Sequence, residues 1–290
     1  MLFFKLSNNI QIQPLLRKLN SDIENETEIE FVVESYESLK YEFHKGSRFK
    51  KLLLPFFFFF RRFIPNFPLL NKIDYFRNKR VLGLGEIMGR ICFAGFSINS
   101  YELIKNEYSI KCKRISDFSK TKYRNEGIVI KLDRLGKNGK IFSLYKFRTM
   151  HPYSEFIQNL ILKNNGFSNS GKIQNDFRLT RYGKILRKYY LDELPQLANF
   201  VLGDLKLVGI RAVSKVYMDK LPDDLKKLRF SHKPGCIPPY VSEGLKPSFQ
   251  NACEAEMRYL LRYNKKPLFT DLTYFIKGVY NIFFKSVRSQ

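Results

Sequence analysis

Apolar and polar positions alternate with a period of two in Ile29 to Val33, Ile128 to Leu132 and Ile141 to Phe147, which predicts short strands. The last two are joined across Gly136-Lys137-Asn138-Gly139, where the Asn-Gly pair marks a hairpin turn. Ala94 to Ile98 and Tyr108 to Ile115 also read as strands, with a helix predicted between them at Tyr101 to Asn106. The spacing turns helical in Ser35 to Phe43, Leu84 to Ile91 (amphipathic), Pro152 to Leu162, Glu254 to Tyr263 and Leu272 to Phe284. Arg181 to Tyr190 predicts a strongly cationic helix. Leu194, Leu197, Ala198 and Val201 then place the start of another near Asp192 or Glu193. Gly203 to Gly209 predicts a turn and a short strand, and Lys233 to Pro239 a rigid surface turn. Strands and helices interspersed in this way indicate an α/β protein.

One stretch fits no soluble pattern. Leu52-Leu53-Leu54-Pro55-Phe56-Phe57-Phe58-Phe59-Phe60 is nine apolar residues long and is followed by Arg61-Arg62. A bilayer core needs about 20 consecutive apolar residues, so this segment is too short to cross as a simple helix. Two readings stand: a helix buried against other protein, or a segment dipping into one leaflet. In the second, Phe56, Phe58 and Phe60 meet the acyl chains while Arg61 and Arg62 reach anionic headgroups.

Charge narrows the partners. The chain of 290 residues carries 51 Lys plus Arg against 27 Asp plus Glu, a formal net charge of +24. That excess favours nucleic acid, an anionic bilayer or phosphorylated substrates. The basic groups lack aromatic interleaving at an RNA-binding spacing and no DNA-reading motif is visible, so no nucleic acid is expected. Residues 1–45 run the other way, with eight acids among the first 42 residues against Lys5, Arg17, Lys18 and Lys40. Cys92, Cys112, Cys236 and Cys253 form no paired spacing, and the three histidines are equally scattered. Neither zinc nor a disulfide framework is indicated. The polar residues after Lys5 give no secretory signal.

Candidate chemistry centres on Leu191-Asp192-Glu193-Leu194-Pro195-Gln196. Two adjacent carboxylates follow a cationic helix and stand where a second helix begins. They read either as a helix cap or as a place to handle a phosphate among Arg and Lys. Around them lie Asn175-Asp176-Phe177-Arg178-Leu179-Thr180-Arg181-Tyr182-Gly183 and Gly203-Asp204-Leu205-Lys206-Leu207-Val208-Gly209. Upstream come Arg134-Leu135-Gly136-Lys137-Asn138-Gly139-Lys140 and Tyr145-Lys146-Phe147-Arg148-Thr149-Met150. In this order and over roughly 127–286, these blocks resemble the bacterial sugar transferases, the monotopic phosphoglycosyl transferases of polysaccharide and glycan assembly.

The resemblance implies a membrane-associated monotopic α/β catalytic domain with a short sheet or hairpin and several amphipathic helices. It implies transfer of a sugar 1-phosphate from a nucleoside diphosphate sugar, UDP-linked, to polyprenyl phosphate at the cytoplasmic leaflet of a bacterial inner membrane, alongside other glycan-assembly proteins. Asp192 would be the nucleophile and Glu193 a ligand of Mg2+, with Arg148, Arg178, Arg187, Arg211 and Lys233 meeting phosphate or nucleotide-sugar groups. The chain then divides into the acidic leader (1–45), the Phe-rich membrane segment (46–78), a small α/β insert (79–126) and the catalytic domain (127–290). The insert departs from the family, in which the apolar helix runs almost directly into the catalytic region. So does Ile210-Arg211-Ala212, where the family pattern is Pro-Arg-Pro. Two readings of another class remain open: a degenerate scaffold or regulator of a glycan-assembly complex, and a basic nucleic-acid or anionic-membrane binding module.

Overall fold

The computed structural model describes residues 1–6, 11–38, 81–118, 123, 125–165, 173 and 175–285. Phe56, Phe58, Phe60, Arg61 and Arg62 lie outside the described residues. The chain forms two units, and neither is a single stretch of sequence. The first comprises residues 1–128 and 150–180, the second residues 129–149 and 181–290.

The first unit is built on a four-stranded sheet of order β1-β2-β4-β3. β1 (Leu2–Leu6) leads through helix α1 (Ile12–Asp22) to the parallel strand β2 (Glu28–Val33), which pairs antiparallel with β4 (Glu107–Arg114). The strand expected at Ile29 to Val33 is present, with Ile29, Phe31 and Val33 fully buried. Glu28 and Glu30 stand in register with Lys113 and Lys111, which sets opposite charges side by side on the neighbouring strands. Helix α2 (Leu84–Phe93) buries nearly its whole circumference in the core. The amphipathic expectation fails here because its polar side is also inside. Arg90 donates to Glu86 and Glu126, each at 2.9 Å, and lies over the Tyr153 ring.

The helix expected at Tyr101 to Asn106 is a correction. β3 (Phe96–Ile104) runs through Tyr101 and pairs as far as Ile104 with Glu107, closing on a two-residue turn in which Lys105 has φ 56°. Cross-strand bonds along Tyr101 to Ile104 outweigh a local helical spacing of only a few residues. Chain returning at residues 150–180 adds a 3-10 turn (Ser154–Ile157) and α3 (Gln158–Asn165), whose Ile157 and Ile161 complete the same core as Ile87 and Ile91.

The second unit opens with the expected hairpin, β5 (Val129–Leu135) and β6 (Ile141–Phe147). Asn138 and Gly139 turn it with φ of 57° and 73°. Helix α4 (Arg181–Lys188), a 3-10 turn (Leu191–Glu193) and α5 (Gln196–Val201) follow. Next come β7 (Lys206–Val208), α6 (Lys215–Asp219) and α7 (Asp223–Phe230). β8 (Gly235–Ile237), the short α8 (Pro239–Ser242), α9 (Phe249–Lys265) and α10 (Pro267–Phe284) complete the unit.

The segment read as a rigid surface turn at Lys233 to Pro239 contains β8, which lies parallel to β7. Gly235 is buried there, and a Cβ on it would stand 2.1 Å from the Gly209 nitrogen. Only glycine allows the two strands so close. Val208, Ile210, Leu225, Tyr259, Leu260 and Tyr274 form the core between these strands and helices α7, α9 and α10. On α10, Tyr274, Gly278 and Asn281 face inward, while Leu268, Leu272, Ile276 and Phe283 are exposed.

Candidate active site

The site grows out of the hairpin. Even-numbered positions of β6 share one face, on which Phe142 and Leu144 are buried against Leu205. Lys146 and then Arg148 continue that phase beyond the apolar patch, so two cations arrive on the inner face. Arg148 itself is buried. α4 sits directly on the strand exit, because a Cβ at Gly183 would stand 2.0 Å from the Thr149 carbonyl oxygen. From the end of α4, exposed Arg187 donates Nε to Thr149 Oγ1 at 3.0 Å.

Tyr190 then takes a left-handed conformation (φ 63°), and the 3-10 turn after it presents the two carboxylates. Glu193 is buried and its Oε1 is paired with Lys146 Nζ. The neighbouring Asp192 is half-buried. Burial raises its carboxyl above the usual value and the charge of Glu193 adds to this, while Lys146 and Arg187 pull it back. Arg134 on β5 belongs to the same field: burial and the charge of Arg211 lower it, and Glu193 acts the other way. Behind the turn, Asn199 of α5 is completely buried. It accepts from the Tyr145 amide at 2.9 Å and donates to the Ser143 carbonyl at 2.8 Å, tying α5 to β6.

Arg211 follows β7. Its amide donates to Glu256 Oε1 at 2.8 Å, and its carbonyl accepts from Arg229 Nη2 at 2.7 Å. Ile210, where the family has proline, is buried in the core, and Ala212 packs against the Phe142 and Leu144 cluster. Lys233 is exposed near the Gly203 turn, and the contacts that gather Lys146, Arg187, Arg134 and Arg211 do not include it. Arg178 belongs to the first unit. It is buried, and its guanidinium grips Asp176 through Nε at 2.9 Å and Nη2 at 2.8 Å.

Sequence reading quoted Arg134 and Lys146 only within the blocks that carry the resemblance, without a role in the site, and passed over Asn199. For Lys146 the signal was its phase, two residues beyond Leu144 on the face that carries the core. For Asn199 it was a polar residue between the apolar spacings of a short helix. Among the described residues no three His, Cys, Asp or Glu side chains cluster as a metal cage. The carboxylate that the sequence offers as a ligand is Glu193, beside Asp192. One or two carboxylates that share the ion with substrate phosphates suit Mg2+, which keeps much of its water and seldom uses an all-protein cage.

Comparison with known proteins bears on what this geometry serves. The family model described as "Bacterial sugar transferase" matches residues 118–285, more than half of the chain. The chain belongs to this family. It is 32% identical over 163 residues to the galactosyl transferase CpsE of Streptococcus agalactiae, covering 49% of this chain and 36% of that protein. It is 38% identical over 97 residues to an undecaprenyl-phosphate galactose phosphotransferase of Salmonella typhimurium, covering 32% of this chain and 20% of that protein. The uncharacterized sugar transferase EpsL of Bacillus subtilis matches at 40% over 110 residues, 37% of this chain and 47% of its own length. The chain therefore spans well under half the length of CpsE and of the Salmonella protein.

Proposed function

We propose that the protein transfers a sugar 1-phosphate from a nucleoside diphosphate sugar, UDP-linked, to polyprenyl phosphate, and so begins assembly of a polysaccharide or glycan. The observation that carries this reading is a half-buried carboxylate, Asp192, set beside the Glu193–Lys146 pair and within the field of Arg187. Relatives named for undecaprenyl-phosphate galactose transfer and UDP-galactose-lipid carrier transfer support the substrate classes.

Asp192 attacks the phosphorus that bears the sugar. The bond to the nucleoside monophosphate breaks, that nucleotide leaves, and the sugar phosphate is held as an acyl phosphate, a mixed anhydride, on Asp192. An oxygen of polyprenyl phosphate then attacks the same phosphorus and displaces Asp192, giving polyprenyl diphosphate sugar and the free carboxylate. Arg187 and Arg211 meet the anionic groups, with Arg148 as a further contact, while Lys233, exposed near the Gly203 turn, is left out of the site. Because Asp176 occupies the Arg178 guanidinium, Arg178 is assigned to holding the 175–180 segment. Glu193 would hold Mg2+ together with the donor diphosphate, and the ion would offset charge on the phosphate oxygens. Lys146 keeps the Glu193 carboxylate in place beside Asp192.

The acceptor is a lipid, which places the enzyme on a membrane with its site open to the cytoplasmic leaflet, in contact with other assembly proteins. The test is to incubate membranes containing the protein with radiolabelled UDP-sugars, polyprenyl phosphate and Mg2+, then to count the lipid extract. Label in the lipid phase is expected, and peptide mass spectrometry after exposure to donor alone should find the phosphosugar on Asp192. No transfer from any UDP-sugar would favour the scaffold reading, which Ile210 and Ala212 in place of the family prolines already suggest.

A further inference from the structure

Arg211 stands where the chain leaves β7 and crosses towards the hairpin. The Gly235 amide donates to the Ile210 carbonyl at 2.9 Å, and Leu135 of β5 donates its amide to the Val213 carbonyl at 2.9 Å. Leu135 follows Arg134, so the crossing brings Arg211 into the field of a like charge. Burial lowers Arg134, and Arg211 lowers it further. Repulsion of this kind drives a long side chain, and any loose backbone beneath it, away from its neighbour. Proline at 210 and 212 would stiffen that backbone by fixing φ. Ile210 and Ala212 do not.

Here the stiffness comes from two buried side chains on separate helices. Glu256 of α9 accepts from the Arg211 amide through Oε1 at 2.8 Å, and its Oε2 is paired with Arg229 Nη1. Arg229, near the end of α7, donates Nη2 to the Arg211 carbonyl at 2.7 Å. The N–H and the C=O of one residue thus both end on one ion pair. Leu225 of α7 belongs to the same core as Tyr259 and Leu260 of α9, which holds the two arms of this clamp together. A buried ion pair is a poor source of net stability, because desolvating two charges offsets their attraction. Apolar residues in its place could fill the same space, but they could not bond the main chain of Arg211.

We propose that Arg229 and Glu256 are positioning residues for Arg211, clamping its main chain so that its guanidinium stays near Arg134 and meets the donor diphosphate. The clamp takes the place of the stiffness that prolines at 210 and 212 would give. This rests on the nucleotide-sugar reading, in which Arg211 binds the diphosphate, and adds to it the residues that hold Arg211 there.

The test is a double-mutant cycle on the purified full chain in detergent, read by equilibrium dialysis of radiolabelled inorganic pyrophosphate. Arg229→Met together with Glu256→Leu removes the clamp without leaving a lone buried charge, and should unfold near the parent's midpoint. Arg211→Ala is expected to weaken pyrophosphate binding about ten- to hundredfold. Removing the clamp should weaken it about three- to thirtyfold, and should cost nothing more once Arg211 is already Ala. In the chain without the clamp, Ala212→Pro confines Arg211, the residue before it, to extended backbone and should restore most of the affinity. Additive losses, or full affinity without the clamp, would overturn the positioning role, as would a parent that binds no pyrophosphate. Should the chain without the clamp fail to fold, Arg229→Lys replaces it in the same cycle, since it keeps a charge for Glu256 and gives up the second donor. Additive losses in a parent that transfers sugar phosphate remove the clamp alone. Coupled losses in a parent that turns over no UDP-sugar keep the clamp and remove the reaction.

Discussion

Asp192 is held where its charge is costly, and this makes it sensitive to pH. Its folded value is raised, so the stability it contributes is complete below the ordinary Asp range and is lost as pH rises through the raised value. Asp192→Asn should therefore unfold at the same or a higher temperature than the parent at neutral pH, the difference vanishing in acid, while sugar-phosphate transfer is abolished. Calorimetry across pH, together with the lipid-extraction assay, reads both effects. Turnover by the Asn variant at the parent's rate would remove Asp192 from the role of nucleophile. Lys146 pulls the same carboxyl down, so Lys146→Met should move the acid limb of the pH–rate profile upward. Lys146→Arg should leave the limb nearly in place. An unmoved limb in the Met variant would mean that Lys146 serves only to bury Glu193.

Between elements, the contact that matters most is a single amide. Asn199→Ala leaves the Tyr145 N–H and the Ser143 carbonyl without the partner that joins α5 to β6. A loss of about 2–6 kcal/mol is expected, two part-buried groups each costing roughly 1–3 kcal/mol when left unpaired. Chemical denaturation measures it, and a loss below 0.5 kcal/mol (about the scale of an ordinary surface change) would show that water replaces the amide. This contact was not legible in the sequence, whereas the hairpin and helices it joins were. Ile128 to Leu132, Ile141 to Phe147 and Arg181 to Tyr190 carry their periodicity locally, and the structure places β5, β6 and α4 there. Tyr101 to Asn106 and Lys233 to Pro239 were misread because strand pairing decides them, with residues 107–110 in one case and 206–208 in the other. The carboxylates of the site were legible as a motif. Their partner Lys146 was not, since an ion pair across 47 positions leaves no local pattern.

For the molecule as a whole, two apolar segments are candidates for a membrane contact. One is Leu52 to Phe60, known here from its sequence alone. The other is the outward face of α10, where Leu268, Leu272, Ile276 and Phe283 are exposed. No helix among the described residues is long and apolar enough to cross a bilayer. Each large side chain inserted in lipid contributes about 1.5–3 kcal/mol, so losing three should be decisive if they are the anchor. Replacing Phe56, Phe58 and Phe60 by Ser is expected to release the protein from both neutral and anionic liposomes in flotation assays. Retention by the triple variant, combined with release by Leu272→Ser and Ile276→Ser together, would transfer the anchor to α10. With a net charge of +24, added salt should weaken the anionic liposomes' hold far more than the neutral ones'.

The interleaving of the two units has a consequence for how the protein is made. Chain leaves the ribosome from its N-terminus, so residues 129–149 emerge as a hairpin whose inner face must wait for Leu205 and Asn199, still unsynthesised. Residues 150–180 emerge next and find their own partners, Ile87 and Ile91, already present. A fragment trimmed to the family match at residue 118 reverses that advantage: Ile157 and Ile161 are kept while the core they fill is removed. Such a fragment should bind a hydrophobic dye and aggregate on expression, and supplying residues 1–117 as a separate chain should restore it to the soluble fraction. For this protein, the boundary drawn by resemblance is not the boundary at which the chain can be cut.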